Sequence, residues 1–469
     1  MHDEKGTVVK RHRPVAVLLT SHWLSLAGTA LVTTAVLSWL FLFGMARGSE
    51  NPYLGILNYL IVPAGFFFGL ILIPIGAWLS KGHIRTGIES GNARRKLFLF
   101  LGVTTLANLV LGTQFTYRAV EHMGTVSFCG QSCHVMQPEF RAAQVAGHSR
   151  VACVDCHVAP GAAGWFSAKF AGTRQLLQVT LDSYPKPIPS ALETNRLVAA
   201  ETTCERCHSR NRLIGARLRV IPQYDGDEAN SVSHTVLMML VGGGAGRGIH
   251  GAHLDPDVEI RYTTADSKRQ GIPWVQWRNK KSGETREYGI QGSRIKGAEL
   301  IMQCVDCHNR PAHTFENPAK ALDRAFALGE IPTGLPFAKK HALELLQVKY
   351  ASQQEADVKI RDSFRSRYEN SHAHRRNDVE RAAGAIAAIY LRNVFPDLKV
   401  DWGTYVNNGG HTEFPGCFRC HDGNHSTRNG NTIANDCSSC HEVLAVEEQD
   451  PEILTKLNLA ERIANLRKP

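Results

Sequence analysis

All twelve cysteines of this 469-residue chain lie between Cys129 and Cys440, in six close pairs, and a histidine follows every pair. Histidine fills only 21 of the 469 positions, so composition does not produce that adjacency six times. Five pairs read C-x-x-C-H: Cys153 and Cys156 with His157, Cys204 and Cys207 with His208, Cys304 and Cys307 with His308, Cys417 and Cys420 with His421, and Cys437 and Cys440 with His441. The first is one residue longer, Cys129-Gly-Gln-Ser-Cys133-His134. Disulfides need no histidine after each pair. Zinc and iron–sulfur sites take two pairs together and are uncommon in an oxidising compartment. C-x-x-C-H is the attachment pattern of haem c: the two thiols form thioethers with the vinyl groups of one porphyrin, and the adjacent imidazole falls under the iron as an axial ligand. The expected cofactors are six covalent haem c groups. Residues 117–213 carry three motifs in roughly one hundred residues, so the haems themselves should be the core there. The fold class expected is a multihaem cytochrome c, mainly α, with little regular structure around the haems and an N-terminal anchor of three transmembrane helices.

That anchor is read from three apolar stretches, residues 15–43, 56–78 and 97–115. Each can cross a hydrocarbon core of about 30 Å; Pro63 and Pro74 in the second are tolerated where neighbours satisfy the freed carbonyls. Lys5, Lys10, Arg11 and Arg13 precede the first stretch, only Arg47 follows it, and Lys81, Arg85, Arg94, Arg95 and Lys96 follow the second. Positive-inside counting places the N-terminus in the cytoplasm and everything after the third stretch outside, in a periplasm-like compartment. The first stretch is too long for a cleaved signal and reads as a retained anchor. Haem c is attached on that outer side, so topology and chemistry agree.

Six irons present twelve axial positions, and fifteen histidines lie beyond the motifs. His2, His12, His22 and His83 sit in the tail or the membrane quarter and are poor ligands. His148, His313, His411 and His425 stand close to motifs and are the favoured second ligands, with His250 and His253 in Gly248-Ile-His-Gly-Ala-His253. His234, His341, His372 and His374 are weaker, and His122, just outside the membrane, is left open. Elsewhere, residues 161–181 form an amphipathic helix with Trp165, Phe166, Phe170, Leu176 and Leu177 among Lys169 and Arg174, suited to a membrane surface or to packing on a haem. Residues 259–289 alternate like strands around a Lys281-Ser-Gly283 turn. Residues 317–391 read as helices broken at Pro332 and Pro336, and a last helix is expected over 452–466. Gly242–Gly248 is glycine-rich but lacks the strand and helix of a dinucleotide fingerprint, and reads as a flexible connection. Four regions follow: an anchor (1–117), a first haem domain (118–215), a connection with β character (216–300) and a C-terminal haem domain (301–469).

The stretch from the third membrane helix through Cys207 resembles the NapC/NirT family of membrane-anchored multihaem quinol dehydrogenases. The matching residues are Phe128-Cys-Gly-Gln-Ser-Cys-His-Val-Met136, His148, Val151-Ala-Cys-Val-Asp-Cys-His-Val158, Lys169 and Cys204-Glu-Arg-Cys-His208. The resemblance implies that Met136 can ligate the first iron, that His148 serves another haem, and that Lys169 lines a quinol pocket. Three departures stand out. The first motif is stretched; the family's carboxylate position near the first haem falls on Gln175, with the nearest acid, Asp182, out of register; and this chain has two more membrane helices and three more motifs. Its later half, with Cys304-Val-Asp-Cys-His-Asn-Arg-Pro-Ala-His313 and Gly410-His-Thr-Glu-Phe-Pro-Gly-Cys-Phe-Arg-Cys-His421, is more loosely similar to extended multihaem cytochromes of metal-reducing bacteria.

The function this implies is oxidation of a membrane quinol, menaquinol, with electrons passed through the haems to periplasmic c-type cytochromes or a periplasmic reductase. Two other functions share the motifs: a terminal reductase for nitrite or hydroxylamine with one open haem, and a non-catalytic relay subunit. Nucleic acid is not an expected partner, although the formal charge is +10 and the pI about 9.0. Residues 1–117 carry +6 of that charge as topology signal and residues 118–469 only +4. Twelve ionised propionates would take the outer part to about -8.

Overall fold

The computed structural model describes Leu19 and residues 22–45, 61–80, 91–243, 248–291, 299–369 and 373–459. It forms two compact units, residues 1–137 with 152–154, and residues 138–151 with 155–469. The tail and turn cations Lys5, Lys10, Arg11, Arg13, Arg47, Lys81 and Arg85 lie outside the described residues, as do His2, His12, His83 and His372.

In the first unit, uncharged apolar runs give three helices long enough to span a bilayer: α1 (Trp23–Met45), α2 (Val62–Leu79) and α3 (Gly91–Met123). α1 and α2 cross where neither carries a side chain. A Cβ on Gly28 would lie 2.7 Å from the Gly69 carbonyl oxygen, and one on Gly69 2.8 Å from that of Gly28, the small-residue contact by which membrane helices approach closely. The buried Ser25 hydroxyl donates to the Ile73 carbonyl across the same seam at 3.1 Å. Phe66 and Phe115 are buried, and Trp39 meets Phe115 edge-on at 4.6 Å, so all three helices share one aromatic contact. α3 continues eight residues past the expected 115 boundary. Thr125 then caps the next short helix, Val126–Gln131, by accepting from the Phe128 N–H at 3.2 Å.

The second unit contains the amphipathic helix α4 (Gly161–Thr180), which buries none of its residues and exposes Phe166, Phe170 and Leu177. β1 (Gly215–Tyr224) and β2 (Val232–Gly242) form an antiparallel hairpin that the alternation in the sequence did not suggest. The short helix α5 (Gly248–Leu254) follows; residues 244–247 of the glycine-rich segment lie outside the described residues. β3 (Val258–Thr263), β4 (Trp274–Asn279) and β5 (Thr285–Ile290) meet the strand expectation. The β4–β5 turn is fixed by the Asn279 carboxamide, which accepts from the N–H groups of Lys281 and Ser282, and by Gly283 at φ +75°. β6 (Glu299–Ile301) and β7 (His425–Ser426) complete an antiparallel sheet of order β6-β3-β4-β5-β7. β8 (His441–Glu448) returns to pair with β2. The last helix runs only over Glu452–Lys456, and the end of its expected span, from residue 460, is outside the described residues.

Between the fourth and fifth motifs lies a helical module with an ordinary apolar core. α6 (Pro318–Ala327) is capped by Asn317 and α8 (Gln353–Ser366) by Ser352, while α7 (Ala338–Leu346) and α9 (Arg376–Asn393) complete the bundle. The break at 328–337 contains Pro332 and Pro336, as the sequence predicts. Leu322, Phe326, Ile331, Leu335, Leu346, Ile360, Phe364 and Ile386 are fully enclosed. Residues 138–151 and 155–469 fall into one unit, within which β8 pairs with β2 and β7 with β5, while residues 118–137 and 152–154 belong to the other. Phe364→Ala is expected to destabilise this module by about 3–5 kcal/mol, read by far-UV circular dichroism in denaturant, with the visible haem bands at zero denaturant unchanged.

Candidate haem-binding site

C-x-x-C-H closes one helical turn here. The His208, His308 and His421 N–H groups donate to the carbonyls of Cys204, Cys304 and Cys417, at 2.8, 2.8 and 3.0 Å. Positions i, i+3 and i+4 then share one face, so both thiols and the imidazole point the same way. The second motif is itself a short helix, Cys153–His157, which sets Cys156 and His157 one turn on from Cys153, with both thiols half-buried. In the stretched motif, Cys129 lies on the helix Val126–Gln131 and Cys133 four residues on, again one turn away.

The structure sets a second imidazole opposite five of the six motif histidines. The pairs, with ring-centre separations and interplanar angles, are His148 with His208 (5.9 Å, 71°), His313 with His157 (6.1 Å, 44°), His250 with His308 (6.2 Å, 15°), His253 with His421 (5.8 Å, 57°) and His411 with His441 (6.2 Å, 14°). Two imidazoles on one iron stand with ring centres roughly 6 Å apart, the sum of two metal–nitrogen bonds of about 2 Å and the two ring radii. The residues present therefore fit bis-histidine haem. Among the described residues no second imidazole faces His134; Met136 follows it, with its N–H bonded to the Cys133 carbonyl at 3.0 Å.

Tautomers agree with this arrangement. Nδ1 of His148, His313, His250 and His253 lies 2.7–3.1 Å from the carbonyl oxygens of Pro311, Glu139, Val241 and Ile249. A carbonyl only accepts, so Nδ1 carries the proton and Nε2 keeps its lone pair for a metal. Burial lowers His253 and His308 below their ordinary values, and the neighbouring His250, His208 and His148 push His308 down further, favouring the neutral form that binds metals. His425 is held differently. Its Nδ1 meets Asp422 at 2.8 Å, and its Nε2 must donate to the Ile272 carbonyl at 2.6 Å, so no lone pair is left for iron; the ring, 1% exposed, pins β7 to its sheet. Nδ1 of His234 lies 3.2 Å from the Gln449 carbonyl oxygen and that of His341 3.2 Å from the Tyr368 hydroxyl, while His122 packs on Phe128 beside the first motif.

Several motifs lie against one another. The thiols of Cys129 and Cys153 are hydrogen-bond neighbours, as are those of Cys204 and Cys304. His313, from just after the fourth motif, faces His157 of the second. Phe418, between the cysteines of the fifth, packs at 4.6 Å on His411, which faces His441 of the sixth. Lys169 lies on α4 with its ammonium 5.4 Å from the Trp165 ring centre, and Gln175 is exposed further along that helix. Sequence reasoning missed Glu139. Its carboxylate pairs with the nearly buried Arg310 at 3.0 Å and reaches His313 Nδ1 at 3.3 Å, a contact across 174 residues that leaves no local pattern.

A family model for the NapC/NirT cytochrome c family, N-terminal region, matches residues 92–215. The cytochrome c-type protein ImcH of Geobacter sulfurreducens is 34% identical over 448 residues, covering 90% of this chain and 88% of that one. The cytochrome c nitrite reductase subunit NrfH of Nitratidesulfovibrio vulgaris is 30% identical over 150 residues, 31% of this chain and 87% of that one. No solved structure matches the chain.

Two histidines give opposite expectations. His313→Ala should turn one low-spin haem high-spin in the electron paramagnetic resonance spectrum. His425→Ala should leave spin states unchanged and cost about 1–3 kcal/mol of stability, the loss of a buried hydrogen-bonded group. A high-spin signal from the second variant would reverse the assignment.

Proposed function

The chain belongs to the NapC/NirT family of membrane multihaem c-type cytochromes, and from that premise we propose that it is an inner-membrane hexahaem menaquinol dehydrogenase passing electrons to periplasmic acceptors. The observation that carries this reading is the contiguous series of imidazole pairs in a chain with three membrane-spanning helices. The haems, when bound, supply the one-electron chemistry. The five pairs support His157, His208, His308, His421 and His441 as motif ligands and His313, His148, His250, His253 and His411 as second ligands; the attachment motif and the family resemblance support His134 and Met136 at the first iron. The charge asymmetry of the N-terminal quarter supports a cytoplasmic N-terminus and a periplasmic haem domain.

The protein's own groups have defined tasks. The exposed apolar row of α4, Phe166, Phe170 and Leu177 with Leu181 beyond, suits the lipid surface, where a hydrophobic quinol is found. Lys169 on that helix hydrogen-bonds a quinol oxygen. Gln175 stands where the family carries a carboxylate; a neutral amide orients a hydroxyl but takes up no proton, so the two protons leave to the outer solvent. At the other end, residues 429–455 contain no lysine or arginine, and the acids Asp436, Glu442, Glu447, Glu448, Asp450 and Glu452 are all exposed around the sixth motif, whose Cys437 is exposed as well. That face suits a basic soluble cytochrome, whose approach such a field accelerates. A terminal reductase needs an iron with an open face; five motif histidines already face a second imidazole, which favours transfer over reduction of a bound substrate.

Lys169→Ala should slow anaerobic reduction by a menaquinol analogue about ten- to a hundredfold, the loss of one charge-assisted hydrogen bond, while dithionite reduces all haems as before. Equal quinol rates would sink the role of Lys169, and failure of the unaltered protein to accept quinol electrons would sink the dehydrogenase. The double substitution Glu447→Lys/Glu448→Lys should lower the rate of electron delivery to a basic soluble cytochrome c and flatten its dependence on ionic strength, as followed by stopped-flow absorbance.

A further inference from the structure

Thirteen residues sit between the paired cysteines of the six motifs, and besides the exposed Arg206 the one cation among them is Arg419. Arg419 is 9% exposed. Its guanidinium donates to three backbone carbonyls: Nε to Gly416 at 2.8 Å, Nη1 to Arg269 at 2.8 Å and Nη2 to Asp306 at 2.6 Å. Asp306 lies between the cysteines of the fourth motif, so a side chain of the fifth attachment loop is bonded to the backbone of the fourth. Asn408 donates to the same Asp306 carbonyl at 3.1 Å. α5 reports the same neighbourhood independently, since His250 faces His308 of the fourth motif and His253, one turn on, faces His421 of the fifth.

The charges do not cancel. The Asp306 carboxylate, 3% exposed, accepts from Arg269 Nη1 at 2.6 Å, the Tyr262 hydroxyl at 2.5 Å and the Gln303 N–H at 2.8 Å, so Asp306 and Arg269 neutralise each other. Arg419 is left as one buried positive charge, next in sequence to Cys420 and bonded to the backbone one residue before Cys307. The nearby acid Asp422 is partly open to water and turned to His425 and the Asn424 N–H.

We propose that Arg419 is a positioning residue shared by the fourth and fifth haems: it ties their attachment loops together and, as a net buried cation beside both, raises the reduction potentials of those two haems in step. A cation in a low-dielectric interior favours the reduced iron, which carries one positive charge less. Two adjacent raised sites can hold both electrons of one quinol, which leaves as quinone and two protons while two ferric irons become ferrous. The proposal rests on haem attachment at these two motifs and not on quinol as the donor.

The test is a mediator-equilibrated redox titration of the full-length protein in detergent, followed in the visible spectrum, with haems counted as the pyridine complex. Arg419→Gln should keep six haems and lower two of the six midpoints, each by about tenfold in its reduction equilibrium, about 59 mV for a one-electron couple. Arg419→Lys, which keeps the charge, should restore them. Six unchanged midpoints in the Gln variant, or a Lys variant shifted as far as the Gln variant, would overturn the proposal. Should Arg419→Gln fail to retain six haems, the near-isosteric Asp306→Asn removes the anion that offsets Arg269 and must raise two midpoints; no rise overturns the proposal. Loss of quinol oxidation with these shifts intact would count against the quinol reading alone.

Discussion

A motif histidine calls for a second imidazole roughly 6 Å away across one iron, and most of the chain's long-range organisation follows from where those second rings come from. His157 faces His313 and His421 faces His253, each across more than 150 residues. His208 is served from before its motif by His148, which is itself anchored on Pro311. Rings brought together over such separations lie within one compact unit, residues 138–151 with 155–469.

The hydrogen bond behind each second ring matters as much as the ring. Four second-ring histidines hold a backbone carbonyl at Nδ1 and so present Nε2. His425 has a carbonyl at Nε2 instead, although its sequence context is similar. Proximity to a motif therefore does not fix which ring nitrogen is presented; the hydrogen bond behind the ring does.

This marks what the sequence could disclose. The six attachment motifs, three membrane helices, α4 and the proline-broken helices around Pro332 and Pro336 are local patterns and are legible as such. The β1–β2 hairpin alternates weakly, because most of its side chains are only half-buried, and its third strand arrives from residue 441. His411 and His425 are alike in sequence, both close to the fifth motif, and only the register of β7 against β5 separates them. Asp306 and Arg419 are visible as variable residues inside motifs, but their joint burial depends on the loops meeting.

The helical module then has a physical place in a chain whose cofactors otherwise make the core. Haem segments alone carry little apolar surface to fix a loop, whereas this bundle encloses a continuous core of its own. It is also bonded to the segments that hold His313. The Asn393 carboxamide accepts from the Glu316 N–H at 3.0 Å, and Arg141 donates to the Leu391 carbonyl at 3.2 Å. Beside them the Arg310 guanidinium lies 4.1 Å over the Tyr405 ring while it holds Glu139. Glu139 in turn fixes the proton of His313, so the rigidity of an apolar bundle is carried through two ion-paired residues to one imidazole. Electron transfer gains from a ligand field that moves little between oxidation states, and a well-packed interior resists such movement. A bundle whose sequence carries no attachment motif thus holds in place the residues packed around the His313 ring.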